Sequence, residues 1–313
     1  MRILARSITL LAALTIGPLQ GDVARAKRVA PITEESVQTF DQADKFAVVA
    51  GIGTYQQQSG IAPLKFPATD ARSLAAVLKG QGFATTVLTE HEVTRGGLRA
   101  SLRAAADAVG QDGTLLFYFS GHGFSGEHTP GRVDNYLAVY ETFADELAAT
   151  GLALSEVLQI LDQAPAKRKL LLLDACRNDP GTGGKGIGLR TFAEFEQSEG
   201  VAVLYSTKFG GVSYESPALG HGLFTHFLIE GLEGGAAKND GFVSFRDVAD
   251  YTQSKVKRWA FERGWSQVPF EAGERSGDFL LAHATRSGNP SGDFPMARVG
   301  DPSVPTSVRH SPL

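Results

Sequence analysis

The chain has 313 residues, of which 42% are apolar and 20% charged, a composition typical of a globular protein with a sizeable core. Its formal net charge of −4 lacks the basic excess of most nucleic-acid-binding proteins, so no nucleic-acid partner is expected. Its single cysteine, Cys176, excludes a fold held together by intramolecular disulfides.

Residues 1–26 have the layout of a secretory signal peptide. Arg2 and Arg6 supply positive charge, an apolar stretch follows, and Ala24-Arg25-Ala26 has the pattern of an A-x-A cleavage site. The apolar stretch is too short to span a bilayer as a helix, and an uncleaved anchor is the alternative. We therefore expect export to the periplasm or the medium, with no membrane span in the mature chain.

Strands and helices alternate along the chain after a polar leader at residues 27–44. Buried strands are predicted at 45–53, 83–89, 114–120, 169–175 and 201–207, with shorter strands at 135–140 and 278–283. Helices are predicted at 67–79, 98–109, 152–163, 222–232 and 245–262, with Thr94 and Ser155 as caps. The tail at 284–313 is rich in Pro, Ser and Gly, and disorder is expected there.

The predicted strands are apolar throughout rather than alternating between apolar and polar residues. Such strands belong to a sheet that helices cover on both faces. No linker or internal repeat interrupts residues 45–283. The sequence therefore predicts one α/β domain over this range.

Two predicted strand ends carry the residues of chemical interest. YFSGHG ends the third buried strand, which is expected to stop abruptly at Gly121, and LLLDACRND ends the fourth. The carboxyl ends of parallel strands share one edge of a sheet, so His122 and Cys176 are expected to face each other. The alternatives are a histidine that only occupies a turn and a cysteine that is a small buried apolar residue.

A histidine beside a cysteine suits nucleophilic catalysis. The imidazole of His122 takes the thiol proton of Cys176 and later protonates a leaving amine. The flanking glycines are expected to let the chain turn sharply at His122. The backbone amides of Gly123 and Cys176 are then candidates for an oxyanion hole.

YFSGHGF and LLLDACRND resemble the two catalytic signatures of the caspase-like cysteine peptidases, the clan of caspases, metacaspases and paracaspases. FPATDARSLAAVL in the first helix and GLFTHFLIEGL in a late helix also match, and the resemblance covers roughly residues 45–283. It implies a three-layer caspase-like fold, with a mostly parallel buried sheet and helices on both faces. It also implies that His122 and Cys176 form the catalytic dyad.

The residues around the cysteine differ from those of true caspases. Caspases carry Q-A-C-[RQG]-G, whereas Asp174 and Asn178 replace the glutamine and the glycine here. Metacaspases and paracaspases have aspartate two residues before the cysteine and cleave after Arg or Lys. The resemblance therefore implies protein or peptide substrates with a basic residue at the cleavage site.

An acidic recess would bind that basic residue by charge-assisted hydrogen bonds. Asp174 is the first candidate for its floor, and Asp70 matches the second acidic pocket residue of the same relatives. Glu215, after the fifth strand, is a candidate third acidic residue. The alternative for Asp70 is an aspartate that the helix dipole favours in a first turn.

The glycine-rich stretch at residues 178–190 lies in a region where some relatives are cut. Lys185 and Arg190 suit the expected specificity, so autoprocessing there is one hypothesis and an uncut loop at the groove is the other. The stretch does not match a phosphate-binding loop, because Gly186 follows the lysine where Ser or Thr is needed.

No metal site or other cofactor is predicted. The remaining histidines lack metal-ligand spacing and are assigned surface or structural roles: His91, His128, His221, His226 and His283. Metacaspases often need calcium, but the spacing of Asp112, Asp134, Asp240 and Asp247 is not that of an EF-hand loop. Calcium activation is therefore not assigned to any residue.

Two functions from different classes fit these patterns. The first is a cysteine endopeptidase that cleaves after Arg or Lys. The second is a caspase-like scaffold that serves as a binding or regulatory module with an idle dyad. The presence of both His122 and Cys176 favours the enzyme.

Overall fold

The computed structural model describes residues 33–129, 132–177, 201–208, 211–238, 240–273 and 278–284. Of Cys176 and Arg177, the structure describes only the backbone. The predicted signal peptide at 1–26, the segment with Lys185 and Arg190, and the tail beyond residue 284 lie outside the described residues. These predictions stay predictions.

The described residues form seven α-helices and twelve strands. The helices are α1 Glu34–Gln42, α2 Pro67–Gly80, α3 Arg95–Ala108, α4 Leu147–Thr150, α5 Leu154–Gln163, α6 Leu223–Glu230 and α7 Phe245–Phe261. The strands are β1 Lys45–Gly51, β2 Ala84–Thr89, β3 Thr114–Thr129, β4 Arg132–Leu137, β5 Leu152–Ala153, β6 Arg168–Arg177, β7 Val201–Tyr205, β8 Glu215–Ser216, β9 His221–Gly222, β10 Phe242–Ser244, β11 Phe270–Gly273 and β12 Leu280–His283.

The central sheet has the strand order β11-β7-β6-β3-β1-β2, and β4 and β5 extend it from β3. Strands β1, β2, β3, β6 and β7 pair in parallel. The other pairings, of β11 with β7, β3 with β4 and β4 with β5, are antiparallel. A mostly parallel sheet confirms the predicted α/β fold class.

Helices cover both faces of the sheet because apolar side chains alternate between the faces along each strand. On one face Phe117 and Leu171 lie in a buried cluster with residues of α3 and α5. On the other face Leu116 and Leu172 lie in a second cluster with residues of α2, α6 and α7. This three-layer arrangement confirms the expected architecture and puts the carboxyl ends of the parallel strands at one edge.

The expectation that the third buried strand stops at Gly121 is wrong. Strand β3 runs through the GHG sequence to Thr129, first paired in parallel with β6 as far as Gly123 and then antiparallel with β4. The backbone at GHG is therefore extended and not sharply turned. Gly121 is needed for close packing instead, because a Cβ there would lie 3.0 Å from Ile52 Cγ2 and from Phe119 Cζ.

Two further elements differ from the sequence-based expectations, whereas the last strand and the Thr94 cap are present as predicted. The leader at 27–44 contains α1, which Thr33 caps and which buries Phe40. Ser155 is not the cap of α5, because Ala153 holds that position and the Ser155 hydroxyl donates to Asp134. The last strand, β12, pairs with β10 outside the central sheet. Thr94 does cap α3, since its Oγ1 accepts from the amide of Gly97.

Within the described residues, no helix has the length and apolar character that crossing a bilayer requires.

Candidate active site

The parallel pairing of β3 with β6 brings the backbones of the two predicted catalytic residues together. His122 and Cys176 are direct partners in the register, and Ser120 and Asp174 are partners two residues earlier. Two sequence motifs far apart in the chain thus meet side by side at the carboxyl edge of the sheet. The juxtaposition that the sequence predicted is present at the level of the backbone.

The ring of His122 is held by the segment that follows β1. Its Nε2 lies 2.9 Å from the carbonyl oxygen of Ala62. A carbonyl only accepts hydrogen bonds, so the ring proton lies on Nε2 and the lone pair of the neutral ring on Nδ1. Tyr55 packs at a tilt with 5.8 Å between ring centroids, and Phe124 stacks on the ring at 5.7 Å.

The surroundings of His122 favour its neutral form. Burial lowers the pKa of the imidazole below its usual range, whereas the Ala62 carbonyl and the charge of Glu215 oppose this shift. The backbone amide of His122 also donates to the hydroxyl of Tyr55 at 3.1 Å. The ring is therefore held in place and can accept a proton at neutral pH.

Glu215 is a residue of β8, and its carboxylate lies against the beginning of α2. Its carboxylate accepts from the amide of Lys65 at 2.9 and 3.1 Å and from the amide of Phe66 at 2.8 Å. These amides precede the first turn of the helix, where an anion is favourable. The backbone of Glu215 pairs with Gly222 in the β8–β9 hairpin. Its role as a third pocket residue stays a prediction.

Asp174 is buried beneath α6 with hydrogen bonds to both carboxylate oxygens. The Ser213 hydroxyl donates to Oδ1 at 2.6 Å, and the Thr225 hydroxyl donates to Oδ2 at 2.6 Å. Thr225 has a single proton, so the Tyr118 hydroxyl, 2.6 Å from Thr225 Oγ1, donates to it. Burial raises the pKa of Asp174, and the hydroxyl donors oppose that shift.

Asp70 lies in the first turn of α2 and is 1% exposed. Its Oδ1 is 2.7 Å from Nδ1 of His221, and the amide of Gly222 donates to Oδ2 at 3.1 Å. Burial, followed by repulsion from Asp174, raises the pKa of Asp70 to about 6 against the lowering effect of His221. The carboxylate thus interacts with β9 as well as with the dipole of its own helix.

The two carboxylates converge on the Cα of Gly222. A Cβ at this position would lie 2.8 Å from Asp174 Oδ2 and 2.9 Å from Asp70 Oδ2. The backbone of Gly222, with φ −59° and ψ 139°, is one that any residue adopts, so steric space and not conformation requires glycine here. The predicted acidic pair is therefore brought together at Gly222, and the position of these two carboxylates is called the recess below.

Several residues of this recess were not singled out from the sequence. Ser213, Thr225 and Gly222 contact its carboxylates. His221, which was assigned a surface or structural role, contacts Asp70. A pattern was present in the sequence, because Gly220-His221-Gly222 repeats the glycine-flanked histidine of Gly121-His122-Gly123. Ser213 has no comparable pattern.

Among the described residues, no group of three or more His, Cys, Asp or Glu side chains lies close enough to hold a metal ion. The carboxylates of the recess instead have hydroxyl, amide and imidazole partners.

Comparison with known proteins gives a family match and a similar structure. The model of the peptidase family C14, described as the caspase domain, matches residues 44–280. The crystal structure of protein GSU0716 from Geobacter sulfurreducens is similar, with a TM-score of 0.53, 19% identity and coverage of 74% of this chain and 94% of that chain. At this identity the likeness concerns the fold alone. A comparison with curated proteins found no match. Since the family model spans most of the chain, the protein belongs to the caspase-domain family.

Proposed function

We propose that the protein is a cysteine endopeptidase that cleaves after Arg or Lys, with His122 and Cys176 as its catalytic dyad. The observation that carries the proposal is the register of β3 and β6, in which these two positions are direct partners. Membership in the caspase-domain family supports the same chemistry, because that family model is one of peptidases.

In the proposed reaction, Nδ1 of His122 takes the proton of the Cys176 thiol and the thiolate attacks the substrate carbonyl carbon. The imidazolium then returns this proton to the leaving amine as the C–N bond breaks, which leaves a thioester. Water hydrolyses the thioester, losing a proton to the imidazole, and the thiol is restored. The bond from Nε2 to Ala62 supports this division of roles, because it keeps the basic lone pair on Nδ1.

The negative charge that develops on the substrate carbonyl oxygen needs hydrogen-bond donors to stabilise it. We propose the backbone amides of Gly123 and Cys176 for this role, and losing one such donor typically costs about 3 kcal/mol of transition-state stabilisation. Gly123 lies in β3 between its partners Arg177 on β6 and Leu137 on β4.

The proposed specificity rests on the recess formed by Asp70 and Asp174. Two carboxylates that converge on one point repel each other unless a cation lies between them. A guanidinium or ammonium group supplies that cation and forms charge-assisted hydrogen bonds with both acids. A substrate aspartate would instead add a third negative charge.

The test compares fluorogenic peptides that end in Arg, Lys, Asp or citrulline under reducing conditions, with and without calcium. Citrulline is the matched control, since it has the shape of arginine without the charge. We expect cleavage after Arg and Lys by the wild type and none by Cys176→Ala or His122→Ala. Equal cleavage by Cys176→Ala would contradict the dyad, and a preference for Asp would contradict the recess. Absence of any cleavage would favour the idle binding module.

We also propose that the protein is exported to the periplasm or the medium, on the basis of the layout of residues 1–26. The amino-terminal sequence of the protein recovered from its producing cells tests this proposal. A mature chain that begins at Lys27 supports it, and an intact Met1 in the cytoplasmic fraction contradicts it.

A further inference from the structure

The segment that follows β1 leaves the sheet between two neighbouring strand ends. In the register, Gly51 at the end of β1 is the partner of Thr89 on β2 and of Ser120 on β3. Glu90 immediately follows β2, and His122 lies farther along β3, so the segment has one of these residues on each side. The topology alone therefore allows it to contact both.

The carboxylate of Glu90 binds the beginning of this segment. Its Oε2 accepts from the amide of Thr54 at 2.8 Å and from the amide of Gly53 at 3.2 Å. The carbonyl of Gly53 accepts from the amide of Leu64 at 2.9 Å, which closes residues 53–64 into a loop. A Cβ on Gly53 would lie 2.3 Å from the carbonyl oxygen of Leu64, so the closure is tight. Because hydrogen bonds to a carboxylate are strong, Glu90 holds the loop where its two ends meet.

Two contacts of this loop with His122 lie next to the closure. Tyr55, two residues after Gly53, accepts from the backbone amide of His122 at 3.1 Å and packs against its ring. Ala62, two residues before Leu64, has its carbonyl oxygen 2.9 Å from Nε2 of the ring. A displacement of the closure would therefore move both contacts together.

The backbone at Glu90 has φ 52°, in the left-handed region that favours glycine. Among the described residues, two that are not glycine have a positive φ, Glu90 and Gln58, and Gln58 lies within the loop. Such strained conformations persist where the surrounding contacts enforce them, and they cluster at active sites. Asparagine adopts this conformation more readily, but its side chain is one methylene group shorter. The strain at Glu90 therefore points to a function of the longer carboxylate side chain.

We propose, building on the proposed function, that Glu90 is a positioning residue for His122. By holding the loop of residues 53–64 at its closure, its carboxylate fixes the Tyr55 hydroxyl and the Ala62 carbonyl that orient the imidazole. A displacement of about 1 Å in a reacting group can cost about a hundredfold in rate. Because the imidazole acts in the chemical step, loss of the Glu90 bonds lowers kcat and leaves KM nearly unchanged.

The test uses two variants that withdraw the carboxylate and two that serve as references. Glu90→Asn and Glu90→Gly suit the left-handed backbone but shorten or remove the side chain. Glu90→Gln keeps the length and an oxygen that accepts hydrogen bonds. The matched control is Glu92→Gln, because Glu92 lies in the same 3₁₀ helix, Glu90–Glu92, and its carboxylate binds Thr89 instead of the loop.

Two measurements are made on the full chain of each variant. NMR of the histidine rings reports the placement of His122, because the rings of Tyr55 and Phe124 lie 5.8 and 5.7 Å from it and shift its resonances by their ring currents. His122→Gln identifies these resonances, and a backbone amide spectrum shows whether each variant keeps the wild-type fold. Cleavage of the fluorogenic arginine peptide gives kcat and KM.

We expect Glu90→Asn and Glu90→Gly to move the His122 resonances toward those of free histidine and to lower kcat about tenfold or more at a nearly unchanged KM. Glu90→Gln should restore most of both, and Glu92→Gln should match the wild type. Unchanged His122 resonances in both shortened variants overturn the proposal, and so does a rise in KM at unchanged kcat. Loss of the fold in both variants also overturns it, because Glu90 would then be required for folding.

The failure of the proposed function gives a different result. In that case the wild type cleaves no peptide, while the His122 resonances still move in Glu90→Asn and return in Glu90→Gln. The ring placement thus decides the role of Glu90 independently of whether the dyad is active.

Discussion

Replacement of Asp70 by asparagine separates the contribution of this residue to the recess from its effect on folding. Asp70 is buried, and its pKa is raised from 3.8 to about 6, chiefly by burial. The folded protein therefore binds this proton more tightly than the unfolded chain. By linkage, the stabilising effect of the proton is complete below pH 3.8 and is lost as the pH rises to about 6.

The magnitude follows from the size of the shift. Each pKa unit corresponds to about 1.4 kcal/mol, so the ionised Asp70 destabilises the fold by about 3 kcal/mol at pH 8 relative to its protonated form. The asparagine side chain would keep the shape without the charge, and loss of the charge-assisted bond to His221 offsets part of the gain. We expect Asp70→Asn to stabilise the protein by about 1–3 kcal/mol at pH 8 and to impair cleavage after Arg.

Urea unfolding at several pH values between 3 and 8 measures this effect, and the fluorogenic arginine peptide measures function. The matched control is Asp107→Asn, the same change at an exposed position on α3. We expect the pH dependence of stability between about pH 4 and 6 to flatten in Asp70→Asn and to persist in the control. A variant that is less stable than the wild type at pH 8, with its pH dependence unchanged, would refute the reasoning.

Three further substitutions test separate parts of the site. Gly222→Ala places a Cβ 2.8–2.9 Å from two carboxylate oxygens, and we expect selectivity for arginine over citrulline peptides to fall about tenfold or more. The control is Gly80→Ala, which has open space around it and should leave this selectivity unchanged. Thr225→Val removes two buried side-chain hydrogen bonds, so urea unfolding should show a loss of about 1–3 kcal/mol; unchanged stability would contradict the assigned network. Glu215→Gln removes a charge that raises the pKa of His122, so the acidic limb of kcat/KM should move to lower pH; a move to higher pH would contradict the assignment.

The sequence predicted the long elements of the fold well because their cores are long and uniformly apolar. The five parallel strands and the helices α2, α3, α5, α6 and α7 all appear near their predicted positions. The strands β8 and β9 have two residues each, which is too short for any periodicity to indicate them. These short strands nevertheless position His221 and Gly222 against Asp70.

For the candidate site, sequence reasoning predicted which strand ends meet but not which side chains surround the acidic residues. His122 and Cys176 were predicted to meet because buried parallel strands bring their ends to one edge, and the register agrees. The partners of Asp174 were missed because Ser213 and Thr225 are ordinary polar residues until folding buries them beside a carboxylate. The sharp turn at GHG was inferred from glycine alone, whereas continued pairing with β6 and β4 keeps that backbone extended.

Strand pairing is continuous through positions 122 and 176, so the backbone at these positions cannot move independently of the sheet. Hydrogen bonding along β3 and β6 fixes the spacing of these positions, and a slip by one residue would reverse the facing of every side chain on the strand. The spacing of positions 122 and 176 therefore cannot change gradually. Ser213, in contrast, lies in a segment outside the strands. Under the proposed function, we expect changes in substrate preference to arise most readily in this segment.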